Sequence, residues 1–343
     1  MARVLLGMSG GVDSSVAAYL LKEEGHEVVG VTMSLFNQTE EAREKQIGDA
    51  KRVCEKLNIE HHVVDYQNEF NENIIKDFID NYLNGKTPNP CVLCNKKFKF
   101  GALWQKAQEL NCEYIATGHY ADMKDGNIYK MNSSKDQSYF LYQINKEVVP
   151  HILFPLNKFS NKEEIRNIAT RENLVEVADK KDSQDICFIE AGNYTKFLEE
   201  NLDTLPDKGN FILTNGETIG NHKGIIYYTI GQRKGLGISY KTPLYVVNID
   251  KINNQVILGT EEELYKRVVY IEDINLHVNN LPNNLQAKTR FRSDFYPCRV
   301  ELLDDNSMKV IFDNPVKSPT PGQSLVLYSN DMLVGGGIIK STE

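Results

Sequence analysis

The chain has 343 residues, 41% of them apolar and 25% charged, and its 39 Lys and Arg against 47 Asp and Glu leave a formal net charge of −8. That length exceeds one ordinary hydrophobic core and favours two or three domains, and the charge excludes a uniformly basic nucleic-acid binder. No apolar run reaches the roughly 18 residues of a membrane span, and MARVLLGMSGG leads from one arginine into a short strand and a glycine loop rather than into a signal peptide. The expectation is a cytoplasmic protein without membrane association, its cysteines reduced.

The first half alternates two periodicities. RVLLGM reads as an apolar strand, SGGVDSS as a loop, and SVAAYLLKEEG as a helix stopped at Gly25. HEVVGVTMSLF is a second strand, EEAREKQIGDAKRVCEKLN a second helix, and IEHHVVDY a third strand. NEFNENIIKDFIDNYLNG is helical again, with Gly85 as its stop, and CEYIATGHYA returns to strand. Strand–helix alternation predicts a doubly wound parallel sheet, with ligands at the carboxyl ends of its strands.

From Ser160 the texture changes. SNKEEIRNIATREN opens with Ser160 and Glu163 in capping-box spacing and reads as a surface helix. KDSQDICFI carries Cys187 in a loop or short strand, and NYTKFLEENL is a further helix. Beyond Lys208 come short runs such as GIIYYTI, PLYVVNI, KVIFD and SLVLYS, broken by Gly, Asn, Asp and Pro as in an all-β barrel or sandwich.

Six cysteines are present. Cys54 shares a helical face with Ile47, Ala50, Val53 and Leu57, and reads as core, as do Cys112 and Cys298. Cys91, Cys94 and Cys187 remain. TPNPCVLCNKKFKF sets Cys91 and Cys94 two residues apart behind Pro88 and Pro90, which are expected to hold the loop extended. Such a pair suits a metal, a redox couple or sulfur carriage. Structural zinc wants four ligands, and no second CxxC or HxxxH supplies them. Lys86 to Lys106 holds five lysines and no acid, and Lys208 to Lys251 six basic residues against two acidic; both suit local contact with a polyanion, and equally well a solvated face.

GMSGGVDSS, Gly7 to Ser15, lies between the first strand and the first helix, where glycines let backbone N–H groups approach a phosphate. It lacks the GK[ST] ending of a Walker A loop and the spacing of a dinucleotide loop. SGGVDS resembles the SGGxDS pyrophosphate loop of ATP pyrophosphatases, which adenylate a substrate. Taken in order, GMSGGVDSS, TPNPCVLCNKKFKF, ATGHYA, KDQSYFLY, DSQDICFI, TIGQRKGLGI, TRFRSDFYPC and PGQSLVLY resemble the tRNA-specific 2-thiouridylases, the MnmA/TrmU family, over nearly the whole chain.

That resemblance implies a multidomain α/β plus β protein. Residues 1–194 would form a PP-loop domain of the adenine nucleotide α-hydrolase kind with a helical extension, 195–262 a small mixed central domain, and 263–343 a C-terminal β-barrel that meets tRNA. It implies ATP-dependent 2-thiolation of the wobble uridine (position 34), by adenylation of O2 and attack of a cysteine-bound persulfide sulfur, with AMP and pyrophosphate released. Cys94 matches the nucleophile and Cys187 the persulfide carrier, and the two would close a redox disulfide. The ATP site would take Gly7, Met8, Ser9, Gly10, Gly11, Val12, Asp13, Ser14, Met33 and Gly118, with Mg²⁺ near Asp13. Asn89, Pro90 and Cys91 match the contact with the target base. His119, Lys135, Asp136, Gln137, Arg290, Phe291, Arg292 and Gln323 match tRNA-binding positions. The implied partners are tRNA, a persulfide-donating sulfur carrier or cysteine desulfurase, and a cellular reductant.

Many members of the family carry aspartate where Cys91 stands. Three thiolates, Cys91, Cys94 and Cys187, are also a donor set for a [4Fe–4S] cluster with one open iron, a scheme found in other RNA thiolases. A rival of another class is a non-catalytic RNA- or nucleotide-binding protein that uses CxxC for zinc. A tRNA-lysidine synthase would share the loop but has no need of paired cysteines.

Overall fold

In the computed structural model, which describes residues 1–36, 39–174, 186–190 and 193–343, the apolar run after Ala2 becomes strand β1 (Arg3–Gly7). Val4, Leu5 and Leu6 are fully buried, as expected for a strand covered on both faces. There follow α1 (Val12–Glu23), β2 (Glu27–Ser34), α2 (Glu40–Lys56) and β3 (Glu60–Asp65). Thr39 caps α2, its Oγ1 accepting from Ala42 N at 3.3 Å. The predicted face of this helix buries Ala50, Val53 and Cys54.

The next helical stretch is less regular than its pattern suggests. It divides into α3 (Gln67–Phe70), a π-helical turn (Asn71–Ile75) and α4 (Lys76–Leu83). Lys86 N bonds back to Asn81 O at 2.9 Å, closing the helix at Gly85 as the sequence indicates. The cysteine pair lies on α5 (Pro90–Cys94), which runs into a second π-helix (Asn95–Ala102) and then α6 (Leu103–Glu109). The expected extended segment therefore ends at Asn89. Pro90 opens a helix instead, because proline's fixed φ and missing N–H are tolerated in a first turn.

Strand β4 (Tyr114–Ala116), the hairpin of β5 (Asp122–Lys124) and β6 (Asn127–Tyr129), β7 (Ile152–Leu153) and α7 (Lys162–Arg171) follow. The N-cap of α7 is Asn161, not Ser160. Its side chain accepts from Glu164 N at 3.1 Å and donates to Glu164 Oε1 at 2.5 Å, so the reciprocal capping pair sits one residue later than expected. The sheet is parallel throughout, in the order β3-β2-β1-β4-β7. Val4 faces Val28 on one side and Tyr114 on the other. Strand order reverses beside β1, which makes the carboxyl ends of β1 and β4 the switch point where such sheets bind ligands.

The rest of the chain is mostly β. After α8 (Tyr194–Asn201), strands β8 (Gly209–Leu213), β9 (Thr218–His222), β10 (Tyr245–Asp250) and β11 (Gln255–Gly259) form a sheet ordered β10-β11-β8-β9. Strands β12 (Tyr265–Leu276), β13 (Leu285–Lys288), β14 (Tyr296–Asp304), β15 (Ser307–Lys317), β16 (Ser324–Ser329) and β17 (Met332–Thr342) form an antiparallel barrel ordered β12-β15-β14-β13-β16-β17. Pairing of β12 with β17 closes it. Inward positions such as Val269, Ala287, Val310, Phe312 and Leu327 are fully buried. Closure removes the exposed edges that an open sheet would present.

By internal contacts the residues fall into two units: Met1–Asn73, Cys91–Ser183 and Asp331–Leu333 in the first, and Ile74–Pro90, Gln184–Asn330 and Val334–Glu343 in the second. Residues 74–90, which the sequence reading groups with the nucleotide-binding domain, pack in the second unit. The reason is apolar: Phe78 and Tyr82 of α4 bury into a cluster with Leu198, Phe211 and Tyr228.

Candidate functional site

The glycine loop is wired by its own serines. Ser14 Oγ gives its hydrogen to Gly11 O at 3.1 Å and accepts from Ser9 N at 3.2 Å. Its single hydrogen is then spent, so Ser9 Oγ, 3.1 Å away, is the donor in that pair. Gly11 N in turn donates to Ser9 Oγ at 3.4 Å. Gly10 has φ +69, and a Cβ there would lie 2.7 Å from Gln46 O, so only glycine fits. Below the loop, buried Thr32 donates to Met8 O at 2.9 Å and takes a hydrogen from Nε2 of His61, also at 2.9 Å. The first N–H groups of α1 have no intrahelical acceptor and offer an anion site.

A cleft of about 240 Å³ opens over this loop, lined by Gly7, Met8, Ser9, Asp13 and Ser14 and by Met33 and Gly118 from the ends of β2 and β4. Seven of the expected ATP residues thus come together. Gly10, Gly11 and Val12 complete the turn without lining the cleft, and the Val12 side chain is buried in the core cluster. Val31, Leu35, Gln46, Lys99 and Thr117 also line it. The sequence reading missed these, because they arrive from in or beside β2, α2, the second π-helix and β4, and none belongs to the loop motif. His119 and Gln137, expected to meet tRNA, line the same cleft.

Asp13 is engaged on both oxygens. Tyr120 donates its hydroxyl to Oδ1 at 2.7 Å, and Lys162 Nζ lies 3.0 Å from Oδ2, with Lys162 15% and Asp13 29% exposed. Asp13 is the one carboxylate among the described lining residues. That fits Mg²⁺ arriving on a nucleotide, since this ion keeps most of its waters and takes one or two carboxylates with phosphate oxygens. His119 is held neutral: burial lowers its pKa well below the usual value, and the positive charge of Lys99 adds to this. Its Nδ1 meets Thr117 Oγ1 at 2.8 Å, and its ring packs 5.5 Å from that of Phe100.

On α5 the three-residue spacing sets Cys91 and Cys94 on one face. Cys94 is 7% exposed. Burial pushes its thiol up to about 11, and Cys91 adds to this while Lys99 opposes it. Burial raises Cys91 as well, again against Lys99. Asn95, the next residue, is 3% exposed; its amide donates to Phe140 O at 3.0 Å, and its Oδ1 has no partner among the described residues. Phe98 and Phe100 anchor the π-helix, with Phe98 5.7 Å from Phe70 and Phe100 6.3 Å from Phe154. Among the described residues no group of three or more His, Cys, Asp or Glu side chains is arranged to hold a metal ion.

Cys187 is exposed. Its turn is closed by Ile189 N on Ile186 O at 3.0 Å, and Phe188 packs edge-on against Phe78 at 5.5 Å. Hydrophobic neighbours thus anchor a turn that presents the sulfur to solvent. Residues 175–185, including Asp182–Asp185 of the DSQDICFI motif, lie outside the described residues.

In the barrel unit, Arg290 Nη2 is bound by Ser318 O at 2.6 Å, Thr320 Oγ1 at 2.8 Å and Ile230 O at 3.3 Å. These bonds make it a strut between loops. Arg292 beside it is exposed, and Phe291 lies under Lys288 at 5.8 Å. Gln323 Nε2 donates to Thr87 O at 3.0 Å and Pro88 O at 3.2 Å, and Thr87 N donates to Pro321 O at 2.9 Å. Gln323 thereby holds the segment that leads to Asn89 and Pro90. Asp136 caps a turn, accepting from Met131 N at 2.9 Å and Ser138 Oγ at 2.8 Å, with half-buried Lys135 beside it.

Three family models match in series: a tRNA methyl transferase HUP domain over residues 2–191, a tRNA methyl transferase PRC-barrel domain over 195–260, and an aminomethyltransferase beta-barrel domain over 266–339. The tRNA-specific 2-thiouridylase MnmA of Clostridioides difficile (strain 630) is 42% identical over 358 aligned positions, spanning 99% of this chain and 98% of that protein. MnmA 1 of Clostridium tetani (strain Massachusetts / E88), with the same activity in its name, is 44% identical over 354 positions, spanning 99% and 97%. Among solved structures, a 4-thiouridine synthetase–RNA complex with bound ATP is 20% identical with a TM-score of 0.41, over 58% of this chain and 50% of that one. The U34-tRNA thiolase NcsA from Methanococcus maripaludis with its [4Fe-4S] cluster is 20% identical with a TM-score of 0.36, over 58% and 67%. Those two likenesses are too slight to carry an argument. No helix among the described residues is long and apolar enough to cross a membrane.

Proposed function

Because the chain belongs to the tRNA-specific 2-thiouridylase family, with relatives 42–44% identical along its whole length, we propose that it replaces O2 of the wobble uridine of tRNA by sulfur at the expense of ATP. Uridine O2 attacks the α-phosphate, an O–P bond forms, and pyrophosphate leaves. The terminal sulfur of a persulfide on Cys187 attacks C2, its proton passes to solvent, and AMP departs with the C–O electron pair. The Cys94 thiolate then attacks Sγ of Cys187. The persulfide S–S bond breaks, 2-thiouridine is released, and a Cys94–Cys187 disulfide remains for a cellular reductant to open with two electrons and two protons. A persulfide-donating carrier or cysteine desulfurase reloads Cys187.

The observation that carries this reading is the pairing, on one unit, of a serine-wired loop at the sheet's switch point with a helix bearing a buried cysteine. The loop N–H groups would cradle the phosphates, and Met33 and Gly118 would enclose the adenine end. Mg²⁺ held by Asp13 would supply charge neutralisation on the phosphates. The neutral imidazole of His119 and the amide of Gln137 would line the approach of the base. Asn89, Pro90 and Cys91 would meet the target base, while Lys135, Arg292 and Phe291 would meet the tRNA backbone and bases. Exposed Cys187 suits reception of sulfur from another protein.

The test is nucleoside mass spectrometry of tRNA incubated with the protein, ATP, Mg²⁺ and a persulfide donor, with AMP measured alongside. Formation of 2-thiouridine with AMP is the expected result. Stoichiometric zinc and no tRNA-dependent AMP would replace this reading with a non-catalytic binding protein.

A further inference from the structure

No residue of the TIGQRKGLGI stretch lines the nucleotide cleft, yet the fold builds a cavity from the loop this stretch opens. Between β9 and β10, Arg233 and residues 235–244 enclose a basin of about 680 Å³. The loop is fixed at several points. The Gln232 side chain accepts from Thr229 N and donates to Lys234 O, both at 3.0 Å. Gly231 N bonds to Val246 O at 2.8 Å, and Val246 N to Gln232 O at 2.9 Å. Leu236 and Leu244 are buried in the apolar cluster of Phe211 and Tyr228. Gly235 and Gly237, at φ +77 and +69, let the chain turn on either side of the Leu236 anchor. A segment that only carried charge into water would need neither anchors nor a cavity.

What the basin presents is positive. Arg233, Lys234 and Lys241 are exposed, and no described acid pairs with them. Although the chain has a net charge of −8, no Asp or Glu occurs between Glu217 and Asp250. Rings alternate with the cations. The ring of Tyr240, 36% exposed, lies 5.7 Å from Lys241 Nζ, and that of Tyr245 lies 6.0 Å from the Arg233 guanidinium. On its barrel side Tyr245 is 5.8 Å from Lys317 Nζ. There Glu261 engages both Lys317 and the Tyr245 hydroxyl, and so bounds the patch.

The root of the loop is fastened to the barrel. Arg290 Nη2 donates to Ile230 O at 3.3 Å and to Ser318 O at 2.6 Å. A Cβ at Gly231 would lie 3.0 Å from Ser318 Oγ. The loop therefore springs from beside Arg290, Phe291 and Arg292, the segment that the family resemblance matches to tRNA.

We propose that the loop of residues 233–241 is a further RNA-binding surface, on which Arg233, Lys234 and Lys241 take backbone phosphates and Tyr240 stacks on an unpaired base. This deepens the thiolation reading and rests on it for the identity of the RNA as tRNA. An acidic sulfur-donor protein would be drawn by the same charge, but exposed rings set between cations suit nucleic acid better.

The experiment measures binding of an unmodified tRNA transcript with uridine at the wobble position to the full chain, without ATP or sulfur donor. Fluorescence anisotropy is read between about 50 and 200 mM salt. Arg233→Gln combined with Lys241→Gln is expected to weaken binding about tenfold or more and to lower the salt slope by about 2, one for each cation. Arg233→Lys combined with Lys241→Arg restores both, and Tyr240→Ala weakens binding with the slope unchanged. In the wild type, tRNA should shield Arg233, Lys234 and Lys241 from trypsin, a readout that survives if the double glutamine variant does not fold. Unchanged affinity and slope, or cleavage at these residues that tRNA does not slow, overturns the proposal. So does a double glutamine variant that binds tRNA normally but no longer takes sulfur from a persulfide-donating protein, which would make the loop that protein's dock. A wild-type protein that binds tRNA through the loop but makes no 2-thiouridine counts against the functional reading alone.

Discussion

Lys162, at the first turn of α7, places its ammonium 3.0 Å from Oδ2 of Asp13, at the first turn of α1. The pair joins two helix N-termini that would otherwise bring only an unopposed carboxylate to the phosphate cleft. Lys162→Met is expected to weaken binding of ATP supplied without Mg²⁺ about tenfold or more, because the remaining carboxylate then faces phosphate with no cation between them. Adding Asp13→Asn should recover part of that loss. Calorimetry on the two variants checks it; wild-type affinity in Lys162→Met would show the pair to be incidental.

The Thr87–Pro88 segment depends on two adjacent barrel residues. Gly322 has φ +91, and a Cβ there would meet Thr87 N and O at 2.9 Å. Gly322→Ala should therefore cost about 2–4 kcal/mol. Gln323→Leu strands the Thr87 and Pro88 carbonyls at about 1–3 kcal/mol. Urea denaturation reads the stability, and both variants should keep ATP affinity while losing tRNA affinity. Loss of ATP binding instead would contradict the assignment of this contact to the target-base segment.

Thiolation should vanish in Cys94→Ser and in Cys187→Ser, with ATP affinity retained in each. Cys91→Asp should keep most of its activity, because the family resemblance places aspartate at this position in many members, where it would meet the same base. Nucleoside mass spectrometry decides the matter. Full activity in either serine variant rejects the roles given to the sulfurs, and loss of activity together with bound iron in Cys91→Asp would reinstate a cluster.

Burial lowers the pKa of His61, His119 and His222 below the usual histidine value. Below about pH 6.5 the unfolded chain binds protons at these positions that the folded chain refuses, so stability falls as pH drops. The limiting slope is about 1.4 kcal/mol per pH unit for each histidine. His119→Gln should flatten the dependence by close to one proton between about pH 6.5 and 5. An unchanged slope in urea unfolding across that range would show that His119 is protonated in the folded state.

Much of this arrangement was legible in the residues. The parallel sheet followed from strand–helix alternation, and the loop between β1 and α1 from its glycines and serines. Cys54, Cys112 and Cys298 are buried, as their apolar surroundings implied. Two kinds of fact were hidden. Lys99, Gln46 and Thr117 reach the cleft only through tertiary packing, and nothing in their local sequence marks them. Arg290 matches a tRNA-contacting position by resemblance, and its guanidinium also bonds to two loops, a second role that only the folded chain reveals. The N-cap of α7 was missed by one residue because Ser160 and Asn161 are both competent caps, and the side-chain geometry chose the second.

The π-helix at Asn95–Ala102 gives the angular spacing between Cys94 and the cleft-lining Lys99 an unusual sensitivity. Such a turn is an α-helix wound around one surplus residue, retained where a site benefits from it. Excision of a single residue from this run would let the helix tighten and swing Lys99 by about 100° relative to Cys94, with every side chain of the pair still present. Chain length here is itself a structural variable, and a one-residue deletion should do what no point substitution can: turn Lys99 away from the cleft with its side chain intact.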